Sequence, residues 1–232
     1  MRKEILWNFH LIITLVILKD NYMNKVFEKI RDSKVVAVLE IDSLENIIPL
    51  CNALLNGGVN VVEIALRTNV SQEATEIIIK NFPEILVGLG TVINEDQVKF
   101  AIDSGVSFAL SPGCNPKILD LALKNNLCFC PGISCPSDIE ISVDYGCEVL
   151  KFFPAQNNGG IEYLKSINSP YKHLNLKYIP LGGINISNVK DYLNSDLVLA
   201  VGGSWLASKE LINSNKWNTI TKNSKEISEL IL

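Results

Sequence analysis

Lys151 stands inside the apolar run Glu148-Val149-Leu150-Lys151-Phe152-Phe153-Pro154, and a charged ammonium is costly among such neighbours. The usual response of a buried lysine is loss of its proton, which leaves an amine able to condense with a ketone into a Schiff base. The alternative is a strand-end lysine that buries its stem and sends its head to water. A second pair of charges lies in Val61-Val62-Glu63-Ile64-Ala65-Leu66-Arg67. Strand alternation puts Glu63 and Arg67 on one face and Val62, Ile64 and Leu66 on the other. If the apolar face meets covering helices, both charges point inward, either as a site or as a buried ion pair, and such pairs are weak devices for stability. Two further segments, Gly88-Leu89-Gly90-Thr91 and Ser111-Pro112-Gly113, end in small residues and hydroxyls. The paired glycines Gly182-Gly183 and Gly202-Gly203, the latter followed by Ser204, offer bare backbone N–H groups beside a hydroxyl. Those are the parts of an anion cradle, although glycine pairs also serve plain tight packing.

The elements that must hold these residues alternate between apolar runs and helical patterns. Expected strands are Val35–Ile41, Val59–Arg67, Ile85–Val92, Phe108–Pro112, Leu127–Ile133, the run around Lys151, Leu176–Ile184 and Leu197–Gly203. Single helices separate them, the first over Ser43–Leu55 with Ser43 as its N-cap, and the last over Trp217–Leu230. Strands separated by single helices imply a parallel sheet with right-handed crossovers. Eight such units in about 210 residues predict a compact α/β fold, a (β/α)8 TIM barrel. The competing open doubly wound sheet lacks its G-x-G-x-x-G fingerprint, because Val35–Ile41 leads straight into Asp42-Ser43. In a barrel the chemistry gathers at the carboxyl ends of the strands, and phosphate binds after strands seven and eight. Lys151, Glu63, Arg67 and the glycine pairs sit where that rule puts them.

Composition removes other function classes. A net charge of −4 without a basic cluster leaves no footprint for nucleic acid. The histidines are His10 and His173 alone, and the six cysteines include no C-x-x-C pair, so no metal and no other cofactor is expected. Cys51, Cys114, Cys128, Cys130, Cys135 and Cys147 read as reduced core residues of a cytoplasmic protein. Residues 1–22 are weakly basic and then mostly apolar, too short to span a membrane and followed by no cleavage motif. They read as an extension outside the fold, with one domain over 23–232 that opens on a short amphipathic helix from Met23.

Taken together, Val62-Glu63-Ile64-Ala65-Leu66-Arg67-Thr68, Gly88-Leu89-Gly90-Thr91-Val92, Leu110-Ser111-Pro112-Gly113, Pro131-Gly132-Ile133-Ser134, Lys151-Phe152-Phe153-Pro154-Ala155, Gly182-Gly183-Ile184 and Gly202-Gly203-Ser204-Trp205 resemble the 2-keto-3-deoxy-6-phosphogluconate (KDPG) / 4-hydroxy-2-oxoglutarate (KHG) aldolase family. The resemblance covers about Asn24 to Leu232. It implies a metal-independent class I aldolase on a (β/α)8 barrel, a homotrimer that acts on a 2-keto acid and releases pyruvate. It places the Schiff-base lysine on Lys151, the acid/base glutamate on Glu63 and the carboxylate contacts on Arg67 and Thr91. Pro112 and Phe153 become the walls of the pyruvate site, and Gly182, Gly183, Gly203 and Ser204 the phosphate site. Three positions depart from the family pattern: Leu181 replaces a threonine before the glycine pair, Gln156 a common glutamate and Cys135 a common threonine. Leu181 removes a hydroxyl that would face phosphate. Two other readings remain at this level: a sugar-phosphate epimerase or isomerase, which needs paired acid/base residues or a metal, and a barrel that binds a sugar phosphate without turnover.

Overall fold

The structure, a computed structural model, describes Met23 and residues 25–231; the 1–22 extension lies outside the described residues. Helix α1 spans 25–33 and leads into β1 (Val35–Leu39). The chain then runs through α2 (Ile47–Asn56), β2 (Val61–Ala65), α3 (Ser71–Asn81), β3 (Leu86–Gly90), α4 (Glu95–Asp103) and β4 (Phe108–Leu110). It continues through α5 (Pro116–Lys124), β5 (Phe129–Cys130), β6 (Gly132–Ile133), α6 (Pro136–Asp144), β7 (Val149–Phe152) and α7 (Gly160–Asn168). The last elements are β8 (Lys177–Pro180), α8 (Val189–Leu193), β9 (Val201–Gly203), α9 (Lys209–Asn213) and α10 (Trp217–Ile231).

All strand pairings are parallel, in one sheet of order β5-β4-β3-β2-β1-β9 and a second of order β6-β7-β8. One run, 129–133, serves both sheets. Phe129 and Cys130 pair with β4, Gly132 and Ile133 pair with β7, and Pro131 between them has no N–H to give the ladder. Isolated bridges Tyr178↔Val198 and Leu181↔Gly202 link β8 to the chain around β9. The result is an α/β fold around a curled parallel sheet in which sequence neighbours are spatial neighbours.

Side-chain alternation sorts the core into two shells. Val36, Val61, Phe108, Leu110, Cys128, Cys130, Val149, Ile179 and Leu181 form a buried cluster inside the curl. Their strand neighbours Val35, Ala37, Val62, Ile64, Ala109, Phe129, Leu150, Phe152 and Tyr178 belong to the larger cluster under the helices. Each fully buried Val, Leu, Ile or Phe contributes about 1.5–3 kcal/mol. Met23, Val26, Phe27 and Ile30 join the inner cluster, so the amphipathic face of α1 covers one end of the curl.

The strands are shorter at their carboxyl ends than the apolar runs predict: Ile41, Arg67, Val92, Pro112 and Ile184 all lie beyond the paired residues. Arg67 sits in a turn, Pro112 in a bend and the other three in irregular chain, where strict alternation no longer holds. Ser43 is extended, precedes a 3-10 turn over Leu44–Asn46, and makes no capping hydrogen bond. Side-chain caps occur instead at Asn94, Asn115 and Ser208, whose oxygens accept from Gln97 N, Lys117 N and Leu211 N. Helix α9 has only five residues and gives no readable period in the sequence.

Candidate active site

Glu63 and Lys151 come from strands on opposite parts of the curl, and the inward positions of β2 and β7 bring them together. Lys151 Nζ lies 3.2 Å from Glu63 Oε1, with the two side chains only 3% and 1% exposed. Glu63 Oε2 is buried and has no hydrogen-bond partner among the described residues. The lysine also lies 5.2 Å from the Phe153 ring centroid, within cation–π range. Space for the carboxylate comes from β3: a Cβ on Gly90 would stand 1.8 Å from Glu63 Oε1. Two buried charges sharing one hydrogen bond and leaving one oxygen unpaired are a poor stabilising device. They are a good poised proton donor and acceptor.

Arg67, in the turn after β2, donates from Nε to Thr91 Oγ1 at 3.0 Å and approaches Glu40 Oε2 at 3.7 Å. Thr91 has φ +61, a left-handed conformation that a β-branched residue rarely adopts. Glu40, in turn, accepts from Lys209 Nζ at 2.7 Å, and the same ammonium lies 3.0 Å from Asp42 Oδ1. Asn213 Nδ2 donates to the other Asp42 oxygen at 2.9 Å. The Asn213 hydrogen bond, followed by the Lys209 contact, holds the Asp42 carboxyl below its ordinary range, and hydrogen bonds to Glu40 and Asp42 hold the Lys209 ammonium above its own.

Lys151, Glu63, Arg67, Glu40 and Lys209 open onto one cavity of about 240 Å³ at the carboxyl ends of the strands. Phe153, Leu181, Gly182, Gly183, Gly203 and Ser204 also line it. Gly182 and Gly183 have φ +94 and +77, where other residues are strained. Their loop is held from below, since Asn188 Nδ2 donates to Gly183 O at 3.0 Å and Tyr192 OH donates to Gln156 Oε1 at 2.9 Å. Leu181 is 3% exposed and lies against Gly202, where a Cβ would come within 2.7 Å of its Cγ. Among the described residues there is no group of three His, Cys, Asp or Glu able to hold a metal ion, and no helix long and apolar enough to cross a membrane.

The profile of the family described as KDPG and KHG aldolase matches residues 26–223. The chain belongs to this family. The 2-dehydro-3-deoxy-phosphogluconate aldolase of Haemophilus influenzae is 37% identical over 207 residues, which are 89% of this chain and 97% of that one. The KHG/KDPG aldolase of Escherichia coli is 38% identical over 195 residues, 84% of this chain and 91% of that one. Among solved structures, the KDPG aldolase of Legionella pneumophila, with pyruvate captured at low pH as a covalent carbinolamine intermediate, is 38% identical with a TM-score of 0.81, covering 86% of this chain and 95% of that one.

In this KDPG/KHG aldolase family member, Lys151 does not snorkel, and the charge opposite Glu63 is Lys151 rather than Arg67. Phe153, Gly182, Gly183, Gly203 and Ser204 reach the cavity wall. Thr91 and Pro112 are not on that wall: Thr91 acts on Arg67, and Pro112 packs over Gly132, whose Cβ would meet the Pro112 carbonyl carbon at 2.3 Å. The sequence reading missed Glu40 and Lys209. Glu40 was legible, because Val36, Val38 and Glu40 share the inward period of β1. Lys209 was not, lying on a five-residue helix beyond the last strand.

Proposed function

We propose that the protein is a class I aldolase that cleaves KDPG to pyruvate and glyceraldehyde 3-phosphate, and KHG to pyruvate and glyoxylate. The buried Lys151–Glu63 contact at 3.2 Å, set in a cavity that ends in glycine loops, carries the reading. Arg67, steadied by Thr91, pairs with the substrate's C1 carboxylate and fixes the plane of its ketone. Lys151 Nζ adds to C2, and the carbinolamine loses water to an iminium, with Glu63 moving the protons. Glu63 then takes the C4 hydroxyl proton as the C3–C4 bond breaks. The bond's electrons flow into the iminium, the aldehyde leaves, and an enamine of pyruvate remains. Protonation at C3 and attack of water on the iminium release pyruvate and return the amine. Gly182, Gly183, Gly203 and Ser204 receive the distal phosphate through backbone N–H groups and one hydroxyl.

Reduction with borohydride in the presence of pyruvate tests this directly. The expected product is one reduced pyruvate adduct per chain, mapped to Lys151 and missing in Lys151→Ala. An unmodified chain, or an adduct on another lysine, overturns the assignment.

The wider setting belongs to the same reading. Residues 23–232 form one domain, and the two sheets are arcs of a single closed (β/α)8 barrel, supported by the shared run 129–133 and the bridges to β9. The protein acts in the cytoplasm as a homotrimer, a state that light scattering on the purified chain reads out.

A further inference from the structure

We infer that Lys209 is a specificity-determining residue that recognises the distal anionic group of the substrate. The inference rests on the aldolase reading of the same cavity. Lys209 enters from the segment after β9, five residues beyond Ser204, and lines the cavity together with Gly182, Gly183, Gly203 and Ser204. Its ammonium reaches across to the segment after β1, where Glu40 Oε1 at 2.7 Å and Asp42 Oδ1 at 3.0 Å fix it. An ammonium has three N–H donors, and these two contacts leave one.

Glu40 keeps the two cations of the cavity mouth apart, with Arg67 on one of its oxygens at 3.7 Å and Lys209 on the other at 2.7 Å. Arg67 is held to Thr91, and Lys209 stays on the Glu40 and Asp42 side of a cavity it shares with the glycine loops. Lys209 adds a cation to the part of the cavity lined by Gly182, Gly183, Gly203 and Ser204, among which no other charged side chain stands. Leu181 gives the cavity an apolar side chain where a hydroxyl would donate to phosphate, which increases the demand on the remaining donors.

The experiment measures kcat/KM for KDPG and for its unphosphorylated counterpart, 2-keto-3-deoxygluconate, in the wild type, Lys209→Met and Lys209→Arg. The ratio of the two constants should fall about 10- to 100-fold in Lys209→Met, as expected for loss of one charge-assisted contact. Most of the change should lie in KM for KDPG, and Lys209→Arg should bring the ratio back to within threefold of wild type. Inorganic phosphate should inhibit Lys209→Met more weakly than wild type by a similar factor. A ratio that shifts less than threefold, however far both constants fall, overturns the inference and leaves Lys209 as a clamp between the two segments. Borohydride trapping of pyruvate on the same preparations separates the cases. An adduct on Lys151 with an unchanged ratio refutes only the role of Lys209, whereas failure to trap in the wild type refutes the aldolase reading beneath it.

Discussion

At the scale of single residues, the unpaired Glu63 oxygen is the most telling feature. A buried carboxylate oxygen without a partner costs free energy in the resting protein. It is accounted for if a substrate hydroxyl or water occupies that place during turnover. Glu63→Gln keeps the shape and removes the base, so kcat should fall about 10²- to 10⁴-fold while the fold is retained. Stopped-assay rates together with a circular dichroism spectrum check both halves, and a loss under threefold would move the proton role elsewhere. Thr91 makes the complementary case. Its left-handed backbone is strained for a β-branched residue, yet its hydroxyl accepts from Arg67. Thr91→Gly should therefore keep or raise the melting temperature while raising KM for the keto acid; a large drop in melting temperature would assign Thr91 to the fold instead. Lys151 was legible in the sequence as a charge in an apolar run, and Glu63 as an inward position of an alternating strand. The link between Arg67 and Thr91, 24 residues apart, was visible only as two separate contacts expected for one carboxylate.

At the scale of elements, period-two alternation predicted which face of β2 carries Glu63, and the two buried clusters divide the other strands in the same way. Element ends were less legible. Strand residues beyond the ladder keep their apolar character because they line the cavity or pack under helices, so hydropathy alone extends each strand too far. Fit between neighbouring strands is also invisible in one strand's pattern. Gly90 reads as a small residue near a turn, yet its missing side chain is the room that Glu63 occupies. Gly90→Ala would place a Cβ 1.8 Å from Glu63 Oε1 and must push the carboxylate off Lys151. The expected outcome is a loss of at least about tenfold in kcat, with weaker borohydride trapping of pyruvate. Wild-type kinetics in this variant would mean that β3 yields and Glu63 stays, contrary to a tightly packed interior.

At the scale of the whole molecule, the cysteines report on how the shells hold together. Cys51 in α2, Cys128 and Cys130 in and beside β5, and Cys147 before β7 are buried, whereas Cys114 and Cys135 are only half-buried. The reading of all six as core residues therefore holds for four of them. Burial pushes the Cys51, Cys128 and Cys147 thiols up to about 12, and Cys130 well above its ordinary value. Since the thiolate is the reacting form, these four should be silent to a disulfide reagent at neutral pH in the native protein. At most Cys114 and Cys135 should react, with Cys114 slowed because burial raises its thiol too. The silent four are distributed around the curl, from the helix after β1 to the loop that enters β7, the strand of Lys151. If residues 23–232 are one cooperative domain, all four become reactive across the same denaturant midpoint, and that midpoint coincides with loss of helical signal. Mass mapping of the labelled cysteines at each denaturant concentration resolves the order. Cys147 reacting well before Cys51, Cys128 and Cys130 would divide the curl into two units, with the division near Pro131, where the pairing of the run 129–133 passes from one sheet to the other.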